Sequence, residues 1–114
     1  MLKFYKIVFF VPVGPKNFEE KIKEEIKERL FELGLGEYDK YNKCSFETLG
    51  YGQFGPLEGS NPYIGKEDEI IKIREYRVEI VCRKDLINNA IRELITIHPY
   101  DEPVYEIHKF YHNI

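Results

Sequence analysis

The sequence predicts an α+β fold in which two β-α-β units follow one another, on three observations. The opening segment carries aromatic and β-branched residues on both parities; two later segments have helical period, each flanked by strand-like runs; and 114 residues suffice for one sheet and one core. The order is that of the ferredoxin-like split pattern: a four-stranded antiparallel sheet with both helices on one face, residues 1–114 forming a single domain.

Each element has its own warrant. Over residues 3–12, Tyr5, Ile7, Phe9 and Val11 fall on one parity and Phe4, Val8 and Phe10 on the other, which predicts a strand covered on both faces. Asn17 with Glu20 three residues on has capping-box spacing, so a helix starts there. Phe18, Ile22, Ile26, Leu30 and Leu33 then form its apolar stripe, and Gly34 supplies the left-handed position at its end. The pairs Glu19 with Lys23 and Glu25 with Arg29 at i,i+4 mark its solvated face.

A second strand is expected from Tyr41 to Tyr51, followed by an irregular glycine- and proline-rich run, GYGQFGPLEGSNPYIG. Strand character returns from Glu69 to Cys82 with a change of apolar parity, Ile71 and Ile73 being odd and Tyr76, Val78, Ile80 and Cys82 even, for which a bulge near Arg74 or Glu75 would account. Asp85 is placed to cap a second helix with apolar positions Leu86, Ile87, Ala90, Ile91, Leu94 and Ile95, and Pro99 forces His98 out of the helical region. The last strand is expected over Val104 to Tyr111. One face of such a sheet carries no helix, and its apolar residues predict cover by another copy of the chain, hence a homo-oligomer.

Composition excludes several classes of function. With 43% hydrophobic and 15% aromatic residues the chain can bury a core. Seventeen Lys and Arg against 20 Asp and Glu leave no basic excess for nucleic acid or anionic lipid. Pro12 interrupts the apolar run from Ile7 to Val11 and no small-residue cleavage site follows, so a strand is expected there rather than a signal peptide, and no run approaches the roughly 20 apolar residues a membrane span needs. Two cysteines, Cys44 and Cys82, allow one disulfide that such a core does not require, which makes the cytoplasm the expected compartment.

No constellation of residues announces catalysis. Gly50, Gly52 and Gly55 fit GxGxxG, but Pro56, Gly59, Pro62 and Gly65 forbid the helix that a dinucleotide site needs, leaving a turn or an anion-binding loop. His108 and His112 share a strand parity yet stand about 13 Å apart, too far to chelate together. His98 beside Asp101 and Glu102 is the best metal or proton-transfer candidate, with a capping or packing role as its plain alternative. Cys82 falls on a core parity.

Three stretches resemble a known family. FFVP in the first strand, Cys44-Ser45-Phe46 leading into Thr48-x-Gly50-x-Gly52-x-Phe54-x-Pro56-x-x-Gly59-x-Asn61-Pro62-x-x-Gly65, and the closing His98-Pro99-Tyr100-Asp101-Glu102-Pro103-Val104-Tyr105 resemble the domain inserted in YqfO proteins of the Nif-three-like family, over nearly the whole chain. The last segment is also similar to one in CutA proteins, and the wider fold group contains the PII signalling proteins. The resemblance implies a ferredoxin-like domain assembled as a trimer, favoured over a dimer, with sheets facing inward. It also implies that the family's dinuclear metal site lies in flanking domains, so hydrolase or GTP cyclohydrolase activity is not expected of these residues. PII implies ligand sensing by the Gly50 to Gly65 loop, and CutA a divalent metal. No Lys or Arg lies between Thr48 and Ile64 to grip a phosphate.

The expectation is thus a non-catalytic, oligomeric, small-ligand- or metal-binding regulatory module, in which the loop and the HPYDEP segment meet across a subunit boundary. Its ligand-binding residues are expected to be Cys44, Gly52, Glu58, Gly59, Asn61, His98 and Glu102, with a divalent metal ion as the one cofactor left open. The alternatives are a structural protein docking on a larger partner, and a small metal-assisted hydrolase using His98 and Glu102 with Cys44.

Overall fold

Two antiparallel pairings centre the sheet on its first strand, β1 (Leu2–Pro12), which lies between β3 (Ile71–Cys82) and β4 (Tyr105–His112). The second strand, β2 (Ser45–Phe54), pairs with β3 and forms one edge, giving the order β2-β3-β1-β4. With α1 (Phe18–Glu32) and α2 (Ile87–Ile97) the chain runs β-α-β-β-α-β, the ferredoxin-like architecture expected from the sequence. The computed structural model describes residues 2–14 and 18–112. The capping box of Asn17 with Glu20, the Phe18 side chain, the Glu19–Lys23 pair and the His112 side chain fall outside the described residues.

One parity of each central strand makes the core. Ile7, Phe9 and Val11 of β1 and Val78, Ile80 and Cys82 of β3 meet Ile26 and Leu30 of α1 and Ala90 and Leu94 of α2, all fully buried, so both helices cover the same face. Ile22 and Leu33 extend the α1 stripe. That helix ends on Gly34 at φ +107°, where the Gly34 N–H donates to Phe31 O and the Leu35 N–H to Leu30 O, the Schellman arrangement that only a left-handed residue permits without strain. Ile95 departs from the expected core of α2: it is 49% exposed, on the helix side turned to solvent.

Two other local expectations are corrected. Asp85 does not cap α2: it lies in a 3-10 turn, Lys84–Leu86, that precedes the helix, and its carboxylate takes the Arg83 guanidinium at 3.2 and 3.3 Å. There is no bulge at Arg74 or Glu75, since β3 pairs with β2 without interruption from Ile71 opposite Phe54 to Ile80 opposite Ser45. The parity change has a different cause. Where the hairpin of β2 and β3 runs out beyond the helices, the residues that follow β2 fold onto the other face, with Gly65 against the Ile71 side chain, so the covered parity switches while the strand stays regular. The second strand also starts later than expected, because Tyr38 and Tyr41 bridge each other in a tight turn and Asp39 and Lys43 take positive φ before Ser45.

The helix-free face is less uniformly apolar than the parity of β1 implies. Val8 is fully buried there, yet its cross-strand neighbours are Glu79 and Glu106, and Lys6–Glu79 (2.7 Å) and His108–Glu106 (2.7 Å) pair across the same face. Exposed apolar side chains gather instead along β2, at Phe46, Leu49 and Tyr51, 64, 46 and 72% exposed.

Between α1 and β2 lies a buried charge cluster. The Lys23 ammonium is 3% exposed, donates to Glu47 Oε2 at 2.9 Å and sits 3.8 Å from the centroid of the Tyr76 ring, while Lys27 donates to Glu47 Oε1 at 2.6 Å. Burial pushes the Glu47 pKa up, but the hydrogen bonds and charges of Lys27 and Lys23 outweigh it and hold the carboxyl below its ordinary range. Removing the carboxylate takes the 2.9 Å acceptor from the buried Lys23 ammonium and the 2.6 Å acceptor from Lys27. Glu47→Ala should therefore cost about 3 kcal/mol, the low end for a buried pair because Glu24 stands 3.6 Å from Lys23 as a partial substitute, and urea denaturation of the two proteins measures it.

Candidate functional site

At the far end of β1 the strand pairing runs out and a loop takes its place. The last β4 pair is Tyr105 with Phe9, so the Phe10 carbonyl lies one residue beyond the ladder on that edge. His98 fills the gap: Pro99 sets it extended at the end of α2, and its Nε2 donates to Phe10 O at 2.6 Å. Its Nδ1 accepts from the Tyr100 N–H at 3.1 Å, which fixes the neutral tautomer with both nitrogens occupied. Burial holds its pKa below the ordinary 6.5, against the pull of the Phe10 carbonyl.

Tyr100 is thereby aimed across the helix-free face. Its hydroxyl donates to Glu75 Oε2 at 2.8 Å, and its ring faces those of His98 (4.8 Å between centroids), Phe54 and Tyr63 (6.3 Å each). Glu75 can lie there because Gly52 has no side chain: a Cβ at Gly52 would stand 1.7 Å from Glu75 Oε1. The loop after β2 closes over this arrangement. The Asp68 N–H donates to the carbonyl of buried Pro56 at its base (2.8 Å), the Ser60 N–H donates to Leu57 O in a turn whose third residue, Gly59, has φ +88°, and the Asn61 N–H donates to Asp101 Oδ2 at 3.2 Å.

The result is a cavity of ≈ 530 Å³ between the loop, the hairpin, the end of β1 and the HPYDEP segment. Its walls are aromatic, from Phe10, Phe54, Tyr63 and Tyr100; its acidic groups are Glu75, Asp101 and Glu102; among the described residues no Lys, Arg or His lines it. In volume and lining, apolar over most of its wall with a few placed polar groups, the cavity has the character of sites that accept small organic molecules.

The expected residues divide accordingly. Gly52 and Glu102 line the cavity, and His98 supports it from beneath through Phe10 and Tyr100. Asn61 contributes its backbone N–H, while Glu58 and Gly59 form the outer turn and do not line the cavity. Cys44 lies in a different cavity with Lys6, Phe46, Glu79 and Phe110, so the trio Cys44, His98 and Glu102 is not assembled. Among the described residues no group of three or more His, Cys, Asp or Glu side chains is placed to hold a metal ion. Burial pushes the Cys82 thiol up to about 11, beyond use as a nucleophile at neutral pH. The loop and the HPYDEP segment meet within one chain, where a subunit boundary was expected.

Sequence reasoning missed Glu75, Tyr100 and the aromatic walls. Tyr100 and Asp101 lay inside a motif already singled out, whereas Glu75 is found only from the β2–β3 register, which sets it opposite Gly50 and diagonal to Gly52.

Two predictions follow from this geometry. Gly52→Ala pushes the Glu75 carboxylate aside and breaks its bond to Tyr100, for an expected loss of about 1 kcal/mol and a fall of roughly 4–8 °C in Tm by calorimetry. His98 binds its proton less readily folded than unfolded, so stability is full above pH 6.5 and declines as pH falls through the unfolded value toward the lower folded one. Urea midpoints at pH 7.5 and 5.5 should show that decline, and His98→Gln should flatten it.

No family model matches the chain. Known proteins do resemble it. It is 33% identical over 104 residues to the GTP cyclohydrolase 1 type 2 homolog of Halalkalibacterium halodurans, a match that takes in 91% of this chain and 26% of that protein. The chain thus spans about a quarter of the length of the curated relatives it matches. Among solved structures, a Bacillus cereus protein related to NIF3 superposes with TM-score 0.75 at 28% identity, over 95% of this chain and 26% of the other. The periplasmic divalent cation tolerance protein CutA of Archaeoglobus fulgidus superposes with TM-score 0.67 at 16% identity, over 99% and 88%, which establishes the shared fold alone. The chain is a relative of one segment of the Nif-three-like proteins, and it has the fold of CutA.

Proposed function

We propose that this chain is a non-catalytic regulatory module that binds a small ligand and works as an oligomer. The observation that carries the reading is the ≈ 530 Å³ cavity that the Gly50 to Gly65 loop and the HPYDEP segment enclose against the sheet. Its parts are held by specific contacts, Tyr100 to Glu75, Asn61 to Asp101 and His98 to Phe10, so the space is preformed and a ligand need not order it. Gly52 and Glu102 face the ligand directly, and His98 positions the segment that carries Tyr100. Glu58, Gly59 and Asn61 set the shape of the outer turn.

Self-association rests on a separate feature. β2 is an edge strand with exposed Phe46, Leu49 and Tyr51, a combination that soluble proteins cover. A second and third copy supply the cover, the trimer being the assembly that the resemblance to CutA and PII implies. No helix among the described residues is long and apolar enough to cross a membrane.

Light scattering coupled to size exclusion tests the assembly: a trimer is expected for the natural chain and a monomer for Phe46→Asp with Tyr51→Asp, whereas a monomeric natural chain overturns the oligomer. A thermal-shift screen of nucleotides, amino acids, amines and carboxylates tests the pocket. A ligand at 100 times its Kd adds about 2.7 kcal/mol, enough to raise Tm by roughly ten degrees. Gly55 lines the cavity and a Cβ there meets open space, so Gly55→Trp should fill the pocket, keep the assembly and abolish the shift. A compound that stabilises Gly55→Trp as well as the natural chain binds elsewhere and defeats the proposed seat, as does a screen without any hit.

A further inference from the structure

The chemistry of the cavity wall is more specific than its shape. Resting on the reading of this cavity as a ligand seat, we infer that its ligand is a small organic cation: an amine or quaternary ammonium compound, with an apolar body and a positive head.

Three observations converge. Among the described residues the charged lining is of one sign: Glu75, Asp101 and Glu102 line the cavity and no basic side chain does. The Arg77 guanidinium stacks 5.7 Å from the centroid of Phe10, a wall residue, but turns its Nε to Glu79 at 3.5 Å, and Arg77 is not among the lining residues. A carboxylate or phosphate ligand would therefore enter against three acidic groups and meet no basic group among the described lining residues. Second, the same space is bounded by four aromatic rings, and Phe54 and Tyr63 flank Tyr100 at 6.3 Å each, angled to it at 53° and 50°. An alkylammonium group, whose charge is diffuse, is attracted to the faces of such rings, and four of them line this one space.

The third observation separates an organic cation from a metal ion. A metal needs several oxygens converging at short range. Here the acidic oxygens are already held apart: Asp101 Oδ2 accepts from the Asn61 N–H and Oδ1 from the Glu102 N–H, while Glu75 Oε2 accepts from Tyr100. Those bonds hold the carboxylates in place as fixed negative charges, which a larger cation senses without displacing a donor. Glu75 carries the head-group recognition from the cavity floor, and Glu102, exposed at the mouth, supplies steering.

A matched series tests this: phenethylamine, 2-phenylethanol and phenylacetate share an aromatic body and differ in charge. Each is titrated into the ¹⁵N-labelled natural chain while the amides of Gly52, Gly55 and Ser60 are followed by NMR. Saturable shifts at these amides are expected for the amine, with a Kd about tenfold below that of the alcohol, and weaker binding still for phenylacetate. Raising the salt concentration should narrow the difference. Glu75→Gln, whose amide oxygen can still accept from Tyr100, should bring the amine's Kd close to that of the alcohol and leave the alcohol's unchanged. Glu102→Gln, at an exposed position that places no demand on folding, should narrow the same gap by a smaller factor.

The inference falls if the alcohol or phenylacetate shifts these amides as tightly as the amine, or if Mg²⁺ alone reproduces the shifts; the cavity then remains a ligand seat of other chemistry. It also falls, again without the broader reading, if all three probes leave the amides unmoved while the thermal-shift screen yields a ligand that Gly55→Trp blocks. Unmoved amides together with a blank screen overturn both.

Discussion

The register between β1 and β3 is the constraint on which the rest of the molecule depends. It sets Ile7 opposite Ile80, Phe9 opposite Val78 and Val11 opposite Tyr76, so that one parity of both strands faces the helices. A slip of one residue would turn Arg77 and Glu79 into the core and Val78 and Ile80 out of it, which makes the register costly to change. The other parity is carried along with it. Glu75, Arg77 and Glu79 are delivered to the helix-free face because Tyr76, Val78, Ile80 and Cys82 are needed on the other, and the candidate site inherits Glu75 from that geometry.

The site itself is built where regular pairing stops. At the end of the β1–β4 ladder the Phe10 carbonyl would be left without a strand partner, and the buried His98 ring supplies the donor. The same ring anchors the Tyr100 backbone, so one histidine completes the sheet edge and orients the site's central aromatic side chain. Its burial and its two engaged nitrogens describe a positioning residue, whereas a metal ligand would need one nitrogen open. On the opposite wall, Gly52 does for Glu75 what His98 does for Tyr100: the absence of a Cβ leaves room for the carboxylate to lie along β2. A preformed cavity results from two small sequence choices at a strand end and a strand middle.

Kinship and function stand at different levels. The relatives that match this chain are some four times longer, and the segment they share with it is the one whose fold recurs in CutA at nearly full length of that protein. The pocket is a property of the segment itself, and its acidic, aromatic lining is the feature from which ligand chemistry is read.

Much of this architecture is legible in the residues alone. The two-faced apolar character of residues 3–12, the helical stripe ending in Gly34, and Pro99 after the second helix determine the strands, the helices and their order, because each depends on near neighbours in the chain. The loop and the HPYDEP segment also stand out by composition, and both border the cavity. Tertiary structure alone decided which of their residues share a space. Glu58 and Asn61 looked like ligand groups by type, but a turn sends Glu58 outward and uses Asn61 for its backbone; Cys44 lies in another cavity. Glu75 looked like part of a bulge and proved to be the acid at the cavity floor, since its role is set by a glycine 23 positions away and a tyrosine 25 positions away. Local propensity sees a residue and its turn; the meeting of Gly52, Glu75 and Tyr100 exists only once strand register and loop closure have brought three distant segments onto one face.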